Sequence, residues 1–152
     1  MENQDFQFLS SWVHQILDQV DDQLPQEAKT ALLRGCAQAH YQWANMDQVI
    51  APYRGNLAGF LTFLNGTWGW KVNYDAGRGI ITADENKSEC VCPLVRGGAV
   101  KSQPLLCSCS EGFAVRMFGS VTGKPVQARV LRSIMKGDPS CVYEVQILPD
   151  DL

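Results

Sequence analysis

The fold is decided by the stretch VQARVLRSIMKGDPSCVYEVQI, residues 126–147, in which apolar and polar residues alternate along two segments. Residues two apart on a β-strand point to the same face, so each segment predicts a strand with one buried face. The apolar positions are Val126, Ala128, Val130 and Ile134 in the first segment and Cys141, Tyr143, Val145 and Ile147 in the second. Because the turn formers of Lys136–Pro139 lie between them, the stretch predicts a closing antiparallel hairpin.

A helix is predicted immediately before this hairpin. The sequence Ser108-Cys109-Ser110-Glu111 matches the capping box, in which Ser108 would cover a free amide and Glu111 would reach back to the start of the helix. Gly123 would end the helix, whose apolar side consists of Phe113, Ala114, Met117, Phe118 and Val121.

Helical spacing of apolar residues predicts three helices in the first half of the chain. The first helix ends at Pro25 and has the stripe Leu9, Trp12, Val13, Ile16, Leu17, Val20 and Leu24. The second has a stripe whose small residues would let another element approach closely: Ala28, Ala31, Leu32, Gly35, Cys36, Ala39 and Trp43. The third ends near Asn65-Gly66 and is marked by Leu57, Phe60, Leu61 and Leu64.

The middle of the chain returns to strand-like alternation. Residues 70–83 predict a hairpin with its turn at 75–79, and further strand-like segments lie near 89–95 and 104–107. Helices first and strands later predict an α+β fold, with N-terminal helices packed on a mainly antiparallel sheet and one helix inserted before the C-terminal hairpin.

Composition indicates one domain without a polyanion partner. The 152 residues are 45% hydrophobic and carry a net charge of −3, so we expect a single domain over 1–152, with a helical part at 5–66 and a sheet-rich part at 69–148. There is no basic excess for nucleic acid or anionic lipid. Acids at Glu2 and Asp5 stand where a secretory signal needs bases. We therefore expect a cytoplasmic protein with reduced cysteines and a small-molecule partner, and leave a homodimer open.

Two Cys-x-Cys pairs are the most specific local motif among the six cysteines. If both segments are strands, Cys90 and Cys92 share one side, as do Cys107 and Cys109, and four converging thiolates would suit tetrahedral zinc. Structural zinc sites more often use C-x₂-C spacing, so we expect no cofactor and keep zinc as an alternative. A redox role and buried, inert thiols are the other interpretations.

Cys109 is a candidate nucleophile. Placed first in its helix after the Ser108 cap, it would have its pKa lowered by the helix dipole and free amides. The chain has two histidines. His14 lies off its helix's apolar stripe and is expected to be solvated, whereas His40 lies four residues after Cys36 on the same helix side and could act as the base. The plainer interpretation of His40 is a partly buried side chain.

Two further groups of residues bear on a site. The cluster of Asp84, Glu85 and Glu89 is interpreted as a solvated connection between strands, in preference to a carboxylate pair. The aromatic residues are expected to be core first, and some of them could wall an apolar pocket: Trp12, Trp43, Trp68, Trp70, Phe60, Phe63, Tyr74, Phe113 and Phe118.

Four segments together resemble one family pattern: Cys90–Leu94, Leu106–Phe113, Gly123–Val126 and Ser133–Tyr143. With Gly35-Cys36-Ala37, they are similar to the bacterial superfamily that joins 4-vinyl reductase domains to L-2-amino-thiazoline-4-carboxylic acid hydrolase-like proteins, over about residues 30–148. The resemblance implies an α+β fold in which helices and a sheet enclose an apolar pocket. It also implies a small-molecule-binding module or, in some members, a hydrolase.

The resemblance places the family's cysteines at Cys36, Cys107, Cys109 and Cys141. The doubled Cys90 and Cys92 and the scarcity of histidine depart from it and disfavour a family-type hydrolytic or metal centre. Fold transfers more safely than activity.

Three functions stay open on the sequence. We favour a binding module whose ligand contacts lie together beneath the sheet, at Cys36, His40, Cys107, Cys109, Phe113, Cys141 and Tyr143. The second is a hydrolase of a cyclic C–N bond with Cys109 as nucleophile and His40 as base. The third is a zinc domain built on Cys90, Cys92, Cys107 and Cys109.

Overall fold

The computed structural model describes residues 2–101 and 103–149. In that part of the chain there are six α-helices: α1 Glu2–Gln23, α2 Gln26–Trp43, α3 Met46–Ile50, α4 Leu57–Gly66, α5 Pro93–Arg96 and α6 Cys107–Thr122. The four strands are β1 Lys71–Asp75, β2 Ile80–Asp84, β3 Val126–Arg132 and β4 Val142–Ile147. None of the described helices combines the length and the apolar character needed to cross a bilayer.

The strands form one antiparallel sheet in the order β1-β2-β4-β3. In the central strand β4, Val145 lies opposite Ile81 of β2 and Ala128 of β3. These three residues are buried and face the main core, so the alternation of the closing hairpin is confirmed. The α+β prediction, with helices before the sheet and one helix inserted before the last hairpin, is also confirmed.

The main core lies between this sheet and helices α3, α4 and α6. Phe60 of α4 and Phe118 of α6 are fully buried there with their ring centroids 5.7 Å apart in an edge-to-face arrangement. Each of these rings contributes about 2–3 kcal/mol by its removal from water. A second, smaller cluster joins α1 and α2 to the segment before α6 through Leu17, Leu33, Val100 and Leu106.

Helices α2 and α6 approach each other closely, but the glycine that permits this lies on α6. A Cβ atom at Gly112 would lie 2.3 Å from the carbonyl oxygen of Arg34. The predicted small-residue stripe of α2 is wrong, because Gly35 and Cys36 are exposed and the buried line is Leu33, Ala37 and Tyr41. Burying Leu33 and Tyr41 removes more apolar area from water than burying a glycine and a cysteine would.

Helix α1 buries only part of its predicted apolar stripe. Leu17 and Val20 are buried, whereas Leu9 is 58% and Trp12 is 56% exposed. The helix is also tied down by His14, which is half-buried and accepts a hydrogen bond at Nε2 from the Lys101 amide at 3.0 Å. The Nδ1 atom of His14 lies 2.7 Å from the Ser10 carbonyl oxygen. The expectation of a solvated His14 is therefore wrong.

The strands predicted near 89–95 and 104–107 are wrong. These segments contain α5 and a 3-10 turn at Pro104–Leu106. Each of the two helical segments begins with a proline, whose fixed φ suits a first helical position and whose missing N–H removes a sheet donor. Similarly, Ile134 leaves the alternation of β3 for a 3-10 turn, in which the Ser133 hydroxyl accepts from the Met135 amide.

The predicted hairpin over 70–83 is confirmed as β1 and β2, although β1 is an edge strand with most of its residues exposed. The capping box at the start of α6 is wrong. The helix begins at Cys107, directly after a 3-10 turn, without a side-chain cap. The Glu111 carboxylate accepts instead from the Val130 amide at 3.0 Å and from Arg34 at 3.3 Å. It therefore joins α6 to β3 and α2.

The close approach of α2 and α6 predicts opposite effects for two glycine substitutions. Gly112→Ala should lower the free energy of unfolding by about 2–3 kcal/mol, because backbone must move to admit the methyl group. Gly35→Ala, on the facing helix with nothing within 4 Å of its added Cβ, should raise it by about 1 kcal/mol through helix propensity. Urea unfolding measures both, and equal effects of the two substitutions would contradict the interhelical contact.

Candidate functional site

A cavity of about 500 Å³ lies between the C-terminal half of α2, the first turns of α6 and one end of the sheet. The chain from Glu85 to Arg96 closes it from the side. Most of its surface is apolar, and its large apolar and aromatic side chains include Trp43, Met46, Trp68, Trp70, Phe113 and Phe118. This size and character are typical of sites that enclose a small molecule.

The aromatic walls come from consecutive turns and strand ends. Trp68 and Trp70 flank the tight turn at Gly69, which has a positive φ of 72°, and their ring centroids are 5.4 Å apart. The ring of Trp70 lies 6.3 Å from that of Tyr143 on β4. On the opposite side, His40 packs on Phe113 with ring centroids 4.6 Å apart. Flat apolar surfaces therefore face the cavity from α2, α6 and the sheet.

Sulfur atoms form much of the remaining wall. The lining cysteines are Cys90, Cys92, Cys107, Cys109 and Cys141. They come from the loop before α5, the first turn of α6 and the residue before β4. The Cys107 sulfur lies 2.9 Å from the hydroxyl of the fully buried Ser133. All six cysteines are free thiols.

Burial favours the neutral form of four of these thiols. It raises the pKa of Cys109 and of Cys141 to about 11, and it also raises the pKa of Cys90 and Cys107. The expectation of an activated Cys109 is therefore wrong. Cys109 is the third residue of α6, and the loss of solvation in the cavity wall outweighs the helix dipole there.

His40 is placed beside the cavity as a neutral side chain, because burial lowers its pKa. Its ring packs between Phe113 and Trp43. In the described part of the chain no hydrogen bond joins His40 to Cys109. The proposed nucleophile and base thus share a cavity without forming the hydrogen-bonded pair that base-assisted attack uses.

Six of the seven predicted ligand contacts line this one cavity: His40, Cys107, Cys109, Phe113, Cys141 and Tyr143. Cys36 does not, because it lies on the exposed side of α2. Cys36 and His40 do lie on one side of α2, one turn apart, but Cys36 is exposed, and the buried line of the helix runs through Ala37 and Tyr41. A role for the six in ligand binding stays a prediction.

The sequence analysis missed the most unusual polar group in the wall. Glu85 is only 5% exposed, and the Tyr143 hydroxyl donates a hydrogen bond to its Oε1 atom. The solvated interpretation of the cluster of Asp84, Glu85 and Glu89 is therefore wrong for Glu85. The available signal was the alternation of β2, which places Glu85 on the same face as the buried Ile81 and Ala83.

The burial of Glu85 changes the pKa of its carboxyl. Burial raises its pKa to about 7, partly opposed by the hydrogen bond from Tyr143. Burial and the nearby Glu85 in turn raise the pKa of Tyr143 well above its ordinary value. Near neutral pH the carboxyl therefore changes charge inside the cavity wall.

Two side chains hold the segment after Glu85 against the rest of the wall. The Lys87 ammonium donates to the Trp68 carbonyl at 2.8 Å, and the Asn86 amide donates to the Gly69 carbonyl at 3.1 Å. The backbone of Asn86 has a positive φ of 54°. This turn redirects the chain from β2 across the cavity towards Cys90.

The four thiols considered for zinc come from a loop and a helix instead of two strands. Across residues 2–101 and 103–149, no group of three or more His, Cys, Asp or Glu side chains is arranged to hold a metal ion. The expectation of no stoichiometric metal stays a prediction that elemental analysis can test.

No protein-family model matches the chain, and no curated protein matches its sequence. Several solved structures resemble its backbone, and two of them are as follows. One is the phenol-responsive sensory domain of the transcription activator PoxR with phenol, at 15% identity and a TM-score of 0.49, covering 91% of this chain and 74% of that one. The other is trafficking protein particle complex subunit 3 from Naegleria fowleri, covalently bound to palmitic acid. It has 10% identity and a TM-score of 0.46, and the match covers 99% of this chain and 98% of that one. Both TM-scores are below 0.5.

The raised pKa of Glu85 predicts a pH-dependent stability. An acid whose pKa is higher in the folded state stabilises the fold below its unfolded value, and this contribution is lost as pH rises through the folded value. Between pH 4.5 and 8, wild-type protein should therefore lose up to about 3 kcal/mol relative to Glu85→Gln, which keeps an acceptor for Tyr143. Urea unfolding at both pH values measures this, with the exposed Glu89→Gln as the control. A Glu85→Gln profile parallel to the wild type would contradict the buried carboxyl.

The thiols predict an order of chemical reactivity. In native protein at pH 7.5, iodoacetamide should alkylate the exposed Cys36 before Cys109 and Cys141, because the thiolate is the reactive form and their pKa is about 11. Peptide mass spectrometry of timed samples gives the order. Cys109 reacting first would instead favour the hydrolase hypothesis.

Proposed function

We propose that this chain is a small-molecule-binding domain whose ligand occupies the largely apolar, cysteine-lined cavity between α2, α6 and the sheet. The observation that carries the proposal is the cavity of about 500 Å³. Ligand sites in proteins commonly measure about 300–1,000 Å³ and have apolar walls with a few polar groups. The wall described above has this composition, with Glu85, Tyr143 and Ser110 as its polar minority near the sheet.

The walls favour a ligand with a flat or chain-like apolar body. Trp68, Trp70 and Phe113 offer aromatic faces, and Met117 adds an adaptable thioether. The neutral thiols of Cys109 and Cys141 act in this proposal as polarisable apolar surface. A body that fills the cavity would gain about 25 cal/mol for each Å² of apolar surface removed from water.

Binding is favoured over hydrolysis by the protonation states in the wall. Burial favours a neutral Cys109 and a neutral His40, and neither donates to the other in the described chain. A cysteine hydrolase needs a thiolate or an adjacent base in contact with the thiol. We further propose that the domain comprises the whole of 1–152 and works in the cytoplasm, where thiols stay reduced.

The proposal predicts that neutral aromatic probes stabilise the protein. We expect 2-phenylethanol and indole to raise Tm in a concentration-dependent way, since a ligand that binds only the folded state shifts unfolding by mass action. Cys109→Phe should abolish most of this shift, because the ring would occupy the cavity. Cys36→Phe is the matched control on the exposed side of α2 and should retain the shift.

Cys109→Ser separates binding from catalysis, since it changes one atom of the wall. A binding domain should keep the probe-induced shift in this variant, whereas a cysteine hydrolase would lose turnover. Thermal shifts that are the same in Cys109→Phe and in wild-type protein would place the probe elsewhere and overturn the proposed site.

A further inference from the structure

The ionised Glu85 carboxyl destabilises the fold, because it is removed from water in a mostly apolar wall. It is buried and lines the cavity, and within the described chain its one side-chain partner is the Tyr143 hydroxyl, which bonds to Oε1. Oε2 accepts no side-chain or backbone hydrogen bond there. Carboxylates in such surroundings are stabilised by a paired cation and further hydrogen bonds. Glu85 lines the cavity and Oε2 is not sealed off in the interior, so a ligand in the cavity can pair with it.

Among the residues that the structure describes, no cationic side chain forms an ion pair with Glu85. Lys87 lies near enough to favour the charged form of Glu85, but its ammonium is bonded to the Trp68 carbonyl. Of the other ionisable groups that face Glu85, Asp84 opposes its negative charge, whereas Tyr143, Cys90 and Cys141 are neutral acids that supply no positive charge. Farther round the cavity lie His40, held neutral by burial, and Arg96, which is exposed.

Aromatic rings complete the surroundings of the carboxyl. Trp70 lies 6.3 Å from the Tyr143 ring and Trp68 lies 5.4 Å from Trp70. The faces of tryptophan and tyrosine rings attract cations within about 6 Å of the ring centre. A carboxylate beside such rings forms a receptor for an ammonium group that is attached to an apolar body.

Resting on the proposed function, we propose that the ligand is an amphipathic amine, whose ammonium pairs with the Glu85 carboxylate while its aryl or alkyl body lies against Trp68, Trp70 and Phe113. The ammonium of the amine would stabilise the ionised Glu85 carboxylate by donating a charge-assisted hydrogen bond to it. A ligand carboxylate would meet Glu85 as a like charge. A neutral ligand of the same shape would gain the apolar contacts but would not form an ion pair with the carboxylate.

This pairing makes binding depend on pH in one direction. The amine stays protonated throughout the neutral range, so the change comes from Glu85, whose pKa is about 7. Only the ionised carboxyl pairs with ammonium, and its population falls about tenfold between pH 8 and pH 6. The amine should therefore bind about tenfold more weakly at pH 6, while a neutral probe is unaffected.

The test uses three probes of similar shape: 2-phenylethylamine, 2-phenylethanol and 3-phenylpropionate. Isothermal titration of wild-type protein at pH 8 should show the amine binding at least about tenfold more tightly than the alcohol, with the acid weakest. Glu85→Gln should remove this preference and the pH dependence while it leaves alcohol binding intact, which also shows that the variant folds. Glu89→Gln, an exposed acid four residues away, should behave as wild type.

The outcomes separate this inference from the proposed function. If the alcohol binds but the amine binds no more tightly, or if Glu85→Gln keeps the preference, the amine inference is overturned and the binding domain stands. If the acid binds most tightly, recognition of an anion by Lys87 and Arg96 replaces it. If none of the three probes binds, both the inference and the proposed apolar site fail.

Discussion

The backbone contact between α2 and α6 is the constraint on which the rest of the structure depends. At Gly112 there is no room for a Cβ beside the Arg34 carbonyl, so the two helices meet at one fixed point. Glu111, the preceding residue, binds both the Arg34 side chain and the β3 backbone. Helix α6 is thereby joined to α2 and to β3 of the sheet. The larger side chains that follow, His40 on α2 and Phe113 on α6, then stand at the wall of the cavity.

The opposite wall is built by different means. Between β2 and α6 the chain contains two short helical turns and a stretch of irregular backbone. A few hydrogen bonds to other elements hold this segment in place, among them those from Lys87 to the Trp68 carbonyl and from Ser10 of α1 to the Ala99 carbonyl. This segment carries Cys90 and Cys92 to the cavity. One wall is therefore fixed by close helix packing and the other by a segment anchored at a few points.

The features that depend on local sequence patterns could be predicted, whereas those that depend on contacts between distant elements could not. Alternation marks a half-buried strand directly, so the closing hairpin and the 70–83 hairpin were predictable. The side of α2 that is buried depends on the helix that packs against it. Because α6 supplies the glycine of the close contact at position 112, α2 does not need its own small residues Gly35 and Cys36 there. Local patterns also favoured a capping role for Glu111, whose actual partners lie on two distant elements.

Of the site, the sequence predicted the cysteines, His40 and Tyr143 as neighbours, but not the acid that gives the cavity its polarity. The charge of Glu85 favoured solvent, but the alternation of β2 favoured the interior. Glu85 directly follows β2 and its amide donates to the Cys141 carbonyl, so it keeps the face that the register of the strand sets. For the thiols, the sequence predicted the positions but not the protonation states. Their positions could be inferred from spacing, whereas their protonation depends on how much solvent the finished cavity admits.

The partly exposed stripe of α1 has a consequence for how the molecule opens. This helix reaches the smaller cluster through Leu17 and has no residue in the main core. Its amides can therefore exchange with solvent by a local detachment that leaves the sheet and α6 intact. Such a detachment exposes Val100 and Leu106, next to the start of α6. The cavity wall that begins at Cys107 thus borders a region that can open locally, while the wall built on β4 borders the main core.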